Sequence, residues 1–313
     1  MLELFRNPTY DFIGKRRWAY LVSVLFIAIG LASITMKGGL RYGIDFSGGT
    51  LIQVRFEKPP AIDKIRSTLD QIKLGESVIQ EFGDPSEFLF RLPLAEVPPE
   101  EVTRRVKEVL EKEPALGRFE IRRVEFVGPQ VGRDLQVQAL YAVLAGMAGI
   151  LIYIAVRFDF KGGVAAIIAV VHDVLVSLGA LSLTNREMSL PILAALLTII
   201  GYSVNDTIVA YDRIRENRGK AVRKGQTFGD LINTSINQTL SRTILTSLTV
   251  FLSTGVLFVF GGKVLEDFAF VLLVGTITGT YSTIYIAGSI IVDWTAWAEA
   301  RAHRPKKAVV KAS

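Results

Sequence analysis

Few residues in this chain can do chemistry, and most of them lie inside apolar runs. Asp206 stands in the stretch 198–209, which reads TIIGYSVNDTIV. A carboxylate near the centre of a membrane-crossing helix costs at least ~2.5 kcal/mol, so it is expected to face a bundle interior. Arg213 follows it by about 10 Å of helix, which places Asp206 nearer one membrane face than the midplane. Ser203 shares its helix face at i−3. Two roles fit such a group: a proton-binding carboxylate, or a structural one held by hydroxyls or a cation of a neighbouring helix. Asp173, preceded by His172, lies in another apolar run. It reads as a second relay carboxylate with His172 as a titrating partner, or as a polar contact that fixes the bundle. Adjacent helical residues point about 100° apart, so the two are not expected to face one partner squarely. Arg242 opens a further apolar run, TLSRTILTS at 239–247. It serves either as an anchor whose head snorkels to the lipid headgroups or as the counter-ion of Asp206.

Other chemistry is excluded by composition. The 313 residues include no cysteine and two histidines, His172 and His303. Disulfides, thiolate zinc, iron–sulfur clusters and multi-histidine metal centres are therefore ruled out. The glycine-rich stretch 42–50 lacks the lysine of a phosphate-binding loop, and its strand follows the glycines rather than preceding them. It reads as a tight connection. With no nucleotide site visible, no cofactor is expected, and energy input should come from an ion gradient or a partner.

The elements that must position these residues are membrane helices. Half of the chain is hydrophobic, in runs at 18–36, 135–156, 162–183, 188–211, 243–260 and 268–292, each long enough to cross a hydrocarbon core of about 30 Å. No A-x-A-like cleavage site follows the first, so it is expected to be retained. The net charge of +6 falls mostly beside these runs, which argues for membrane orientation and against nucleic acid. Lys15, Arg16 and Arg17 precede the first span. Arg157 and Lys161 separate the second from the third. Arg213, Arg215, Arg218, Lys220, Arg223 and Lys224 follow the fourth, and Arg301, Arg304, Lys306, Lys307 and Lys311 follow the sixth. Six spans put all four segments on one side, which the positive-inside rule makes cytoplasmic, together with both termini.

The expected organisation is a cytoplasmic N-terminus and first span over 1–36, an extracytoplasmic domain over 37–134, the remaining five spans over 135–298 and a basic cytoplasmic tail over 299–313. The outer segment carries charges of both signs in near balance. Strand-like alternation at 51–56, 77–82, 88–92 and 119–126, the last with one slip, brackets helical patterns at 61–72 and from 98 onward. That order predicts an α+β domain of ferredoxin-like, split βαβ type. Between spans four and five, Leu231, Ile232, Ile236 and Leu240 with nearby cations predict an amphipathic surface helix within 212–242.

Five stretches carry a resemblance: YGIDFSGGT at 42–50, VGPQVG at 127–132, Arg157-Phe158 with Val171-His172-Asp173, GYSVNDTIVAYDRIREN at 201–217 and NTSINQTLSRTILTS at 233–247. Together they resemble the SecD/SecF family of bacterial protein translocation, within the resistance–nodulation–division-like superfamily, on the side of the smaller of its two partner subunits. The resemblance implies a non-enzymatic accessory subunit in the bacterial cytoplasmic membrane, driven by the proton gradient. It would promote late steps of preprotein export. The implied partners are a SecD-like subunit, a SecYEG-type channel, the translocating preprotein and membrane lipids. The family's proton-linked aspartate in span four matches Asp206, and its arginine opening span five matches Arg242. Asn205, Thr246 and Ser203 stand beside them, with Asp173 as a possible relay or helix–helix contact. Alternatives are a non-catalytic scaffold, half of a lipid or small-molecule exporter, or an intramembrane aspartyl protease. The last lacks its usual Gly-x-Gly-Asp element.

Overall fold

The computed structural model describes residue 5 and residues 8–95, 97–219 and 226–302. Along the chain come α1 (Arg16–Met36), a single-turn helix α2 (Ile44–Ser47), β1 (Gly49–Phe56), α3 (Ile62–Asp70), β2 (Val78–Phe82), β3 (Asp84–Leu92), α4 (Pro99–Glu111) and β4 (Phe119–Val127). Then follow α5 (Pro129–Arg157), α6 (Phe160–Leu183), α7 (Leu190–Gly219), α8 (Phe228–Phe260) and α9 (Gly262–Ser282). A π turn at Thr283–Ala287 joins α9 to α10 (Gly288–Ala302).

Six helical stretches among the described residues are long and apolar enough to cross a membrane, the last running Leu265–Arg301 through the π turn. Half of the most apolar part of α6, of α7 and of the last stretch is buried, against 17% for α1 and α8 and 6% for α5. The first three therefore form the centre of the bundle and the others wrap it. In hydrocarbon, helices gain little from apolarity alone and approach through small residues. At the α1–α6 crossing a Cβ added to Gly30 would stand 2.7 Å from the Cα of Gly179. One turn on, the hydroxyls of Ser33 and Ser182 lie 2.9 Å apart.

The four strands form one antiparallel sheet in the order β2-β3-β1-β4. Ile52, Val54, Phe56, Phe88 and Phe90 pack with Ile65 and Leu69 of α3 and Val106 and Leu110 of α4 in a core separate from the bundle's. The slip in the alternation of β4 is a bulge: Gln53 pairs with Arg123 but Val54 pairs with Ile121, so Arg122 is left over. The turn-rich residues 84–86 belong to β3, whose hairpin turn is tighter than the sequence suggests.

The two ends of the bundle differ. At one end Arg16 meets Asp293 at 2.8 Å, Arg157 meets Asp212 at 3.3 Å, and Asn233 and Asn237 of α8 donate to the carbonyl of Tyr10. At the other, Lys37 donates to Asn185 at 2.7 Å, Arg91 meets Glu187 at 3.2 Å, and Arg186 pairs with Glu266 and Asp267. The sheet sits at this second end.

The surface helix expected within 212–242 is not a separate element. Residues 212–219 are the last turns of α7, and 228–242 are the first turns of α8, which runs on without a break to Phe260. A capping box of Thr227 and Asp230 starts that helix. Leu231, Ile232, Ile236 and Leu240 do form one stripe, but it is buried against Phe12, Ile13 and Ile291 instead of lying on lipid. Lys220, Arg223, Lys224 and the tail from His303 lie outside the described residues.

Candidate functional site: two carboxylates in the bundle core

Asp206 on α7 and Asp173 on α6 are 2% and 0% exposed, which places both inside the bundle. Their surroundings differ in quality. Asp173 has close partners on three elements. Ser203 of α7 donates to its Oδ2 at 2.6 Å, Ser282 at the end of α9 donates to the same oxygen at 2.8 Å, and His172 Nδ1 lies 2.9 Å from Oδ1. His172 stacks on the ring of Tyr281, 5.9 Å between centroids, and the Tyr281 hydroxyl donates to the carbonyl of Ala19. Asp173 thus joins α6, α7 and α9, and its neighbour links on to α1. The two side chains reach each other in spite of their angular offset because they bend toward one another around the helix.

Asp206 is held more loosely. Thr246 donates to Oδ1 and Ser247 to Oδ2, each at 3.4 Å. That is the long limit for a hydroxyl–carboxylate bond, which is usually 2.5–3.0 Å. Ser247 is itself a junction: it accepts from Tyr202 at 2.9 Å and from Thr280 at 2.7 Å. Arg242 lies one turn before Thr246 on α8, but it is exposed and forms no ion pair with Asp206 within 4 Å.

The expected residues therefore separate into two groups. Thr246 touches Asp206 as expected. Ser203, expected beside Asp206, turns to Asp173 instead, because a residue at i−3 lies on the same face but a full turn closer to α6 and the end of α9. Asn205 faces away and is exposed on the outer side of α7, since a neighbour on a helix is rotated by about 100°. Arg242, one turn before Thr246, forms no ion pair among the described residues. Ser247, Ser282, Tyr202 and Thr280 were not singled out from sequence. Their only signal is hydroxyl residues recurring in apolar helices, which is common and unspecific.

Next to Asp206 in the chain, Thr207 donates to the carbonyl of Ser203 at 3.1 Å and its hydroxyl lies 3.1 Å from that of Thr283. Thr283 opens the π turn. Such turns widen a helix locally and recur at functional positions. Thr207 and Thr283 thus tie α7 to the α9–α10 junction beside the site. Among the described residues no group of three or more His, Cys, Asp or Glu is placed to hold a metal ion.

Comparison with known proteins gives one answer. Residues 106–297 match the family described as "Protein export membrane protein SecD/SecF, C-terminal", and residues 34–60 match "SecD/SecF GG Motif". A Calditerrivibrio nitroreducens protein named "Protein translocase subunit SecF" is 46% identical over 93% of this chain and 96% of its own length. A Desulfurispirillum indicum protein of the same name is 46% identical over 90% of this chain and 91% of its own. The crystal structure of a Thermus SecDF, described as a translocon-associated membrane protein, superposes with a TM-score of 0.79 at 40% identity. It covers 93% of this chain, which spans 39% of that longer one. The chain is a multi-pass membrane protein and belongs to the SecD/SecF family.

Proposed function

We propose that this chain is an accessory subunit of the bacterial Sec translocase that works with a SecD-like partner. It would use the proton gradient to promote late steps of preprotein export across the cytoplasmic membrane. The end bearing Tyr10, Asp212 and Asp293 faces the cytoplasm, and the sheet faces outward. The names of the relatives support the translocase role, and the cation-rich segments support the orientation.

One observation carries the choice of Asp206 as the proton-handling group: its poor satisfaction compared with Asp173. A buried carboxylate with three partners inside 2.9 Å is held in one state, and its loss would disrupt the bundle. A buried carboxylate with two contacts at 3.4 Å and a nearby unpaired arginine has two states of similar quality. Protonated, it needs little from its neighbours. Ionised, it attracts Arg242, which swings in from the surface. Moving one proton through ~100 mV releases about 2.3 kcal/mol, enough to change the ratio of two conformers roughly fifty-fold. Asp173 and His172 then serve to hold α6, α7 and α9 together around the moving part. No catalytic chemistry or cofactor enters this scheme.

The test is preprotein export into vesicles with and without an imposed proton gradient, read beside the amount of assembled complex. Asp206→Asn, which mimics the protonated form permanently, is expected to abolish the stimulation by the gradient while assembly is kept. Arg242→Ala should act alike. Arg242→Lys should keep part of the function, as a point charge without the guanidinium fork. Full gradient dependence in Asp206→Asn would sink the proton role and leave a scaffold.

A further inference from the structure

Residues 41–49 are one of the places where the sheet meets the bundle, beside β2 against α9, the β4–α5 connection at Gly128 and the Arg91–Glu187 pair. Phe46 of α2 is 2% exposed and belongs to the buried cluster that contains Leu181, Met188 and Ile192, so this single turn of helix plugs the outer end of the bundle. From one side α5 holds it. Gln136 Nε2 donates to the carbonyl of Phe46 at 2.7 Å, and a Cβ at Gly132 would stand 2.7 Å from that same oxygen. From the other side the chain entering α7 holds it. Gly43 N donates to the carbonyl of Met188 at 2.8 Å, and Met188 N donates to that of Arg41 at 2.6 Å. Leu190 N donates to Oδ2 of Asp45 at 3.0 Å.

The last bond matters most. Leu190 is the first residue of α7, and the first N–H groups of a helix have no partner within it. A carboxylate there accepts a free N–H and lies at the positive end of the helix dipole. α7 is thus capped by a side chain from 145 positions away in the sequence. Beyond α2 the chain enters β1 through Gly48 at φ +75° and Gly49 at φ +143°. A Cβ on Gly49 would stand 2.4 Å from the carbonyl of Leu92, which ends β3. Only glycine takes that path, and the packing leaves it no slack. The same α7 carries Asp206.

We propose that Asp45 is a positioning residue that ties the first turn of α7 to α2. A displacement of α7 on a change of charge at Asp206 is then handed through the plug to β1 and the whole sheet. The inference rests on the reading of Asp206 as the group that gains and loses a proton. The other polar ties, the backbone bonds of Gly43 and Arg41 to Met188 and the Arg91–Glu187 pair, reach the residues before α7 and not the helix itself.

The experiment uses the full chain co-reconstituted with its SecD-like partner. Spin labels on Lys107→Cys in α4 and Leu183→Cys at the outer end of α6 report the sheet's position relative to the bundle; the chain has no cysteine of its own. Asp206→Asn is expected to shift the distance distribution when Asp45 is intact. In Asp45→Ala the resting distribution and the level of complex should be kept, but the response to Asp206→Asn should be lost. Asp45→Asn, whose amide oxygen still accepts from Leu190, should restore most of it. Leu190→Pro removes the donor instead, at a first helical position that tolerates proline, and should match Asp45→Ala. A role confined to stability would lower the amount of complex equally with or without Asp206→Asn and would spare the response. A full response in Asp45→Ala or Leu190→Pro overturns this inference alone. No shift in the parent on Asp206→Asn leaves Asp45 nothing to transmit, overturning this inference together with the motion assigned to Asp206.

Discussion

At the scale of single residues, two equally buried carboxylates are separated by bond length. Ser203 and Ser282 each lie within 2.8 Å of Asp173, whereas Thr246 lies 3.4 Å from Asp206. A hydrogen bond to a charged group contributes about 1.5–3 kcal/mol in soluble proteins, and bonds between membrane helices average about 0.6. Ser203→Ala or Ser282→Ala should therefore cost the bundle about 1 kcal/mol, while Thr246→Val should cost close to nothing in stability. Denaturant titration of the detergent-solubilised chain checks this, and equal losses at the three positions would refute the contrast. Both aspartates were legible in the sequence because a charge inside an apolar run stands out. Their partners were not. Ser282 and Ser247 are two among many hydroxyls in these helices, and only the crossing of α7 with α8 and α9 selects them. Ser203 and Asn205 show the same limit: helical spacing gives a face, but which neighbour occupies that face is a tertiary fact.

At the scale of elements, the sequence showed what depends on local pattern. The six apolar runs became helices, and the slip in the last strand became a bulge. The amphipathic stripe at 231–240 was also real, but its apolar face met Phe12 and Ile13 instead of lipid. Periodicity reports that a face must be buried and is silent on what buries it. The single-turn α2 was invisible, being too short to have a period. The sheet with α3 and α4 has its own core, so a fragment of residues 40–127 is expected to fold alone. In it, the guanidinium groups of Arg105 and Arg104 hold the carboxyl of Glu101 below the usual range. The hydroxyl and amide of Ser86 do the same for Asp84. A carboxylate whose acidity is increased by folding stabilises the fold above its unfolded pKa, ~3.9–4.3, and that contribution fades as pH falls through the lower folded value. The fragment should thus lose stability below about pH 4, and Glu101→Gln should flatten that limb. Both carboxylates are solvent-exposed, so the slope should be shallow and salt-sensitive. A Glu101→Gln fragment with the same acid limb as its parent would count against these pairs.

At the scale of the whole molecule, the surface of the bundle is of two kinds. α1 presents Val24, Leu25, Phe26 and Leu31, which suit lipid tails. The side formed by α7 and α8 is mixed: α8 also exposes Leu252, Val256 and Val259, but polar and small residues stand among them. Thr198, Gly201 and Asn205 are exposed on α7, and Arg242, Thr249 and Ser253 are exposed on α8. A Cβ on Gly201 would meet nothing within 4 Å, so the helix is bare there. Small and polar residues at membrane depth are costly against lipid and favourable against another helix. The helices meet at Asp206 and Thr246, so whatever covers this side lies over the loosely held carboxylate. The Thermus SecDF chain is longer than this one, which spans 39% of it. We therefore expect a SecD-like subunit to cover this side. Thr198→Cys and Ser253→Cys should react with a membrane-soluble maleimide when the chain is made alone and be protected when the partner is co-expressed. Phe26→Cys should react in both cases. Asn205→Leu should leave the chain inserted but reduce the amount recovered with its partner, because the amide loses its counterpart across the contact. Equal labelling of Ser253→Cys with and without the partner would place the partner elsewhere, and Asp206 would then lie under lipid with Arg242 as the cation that compensates it.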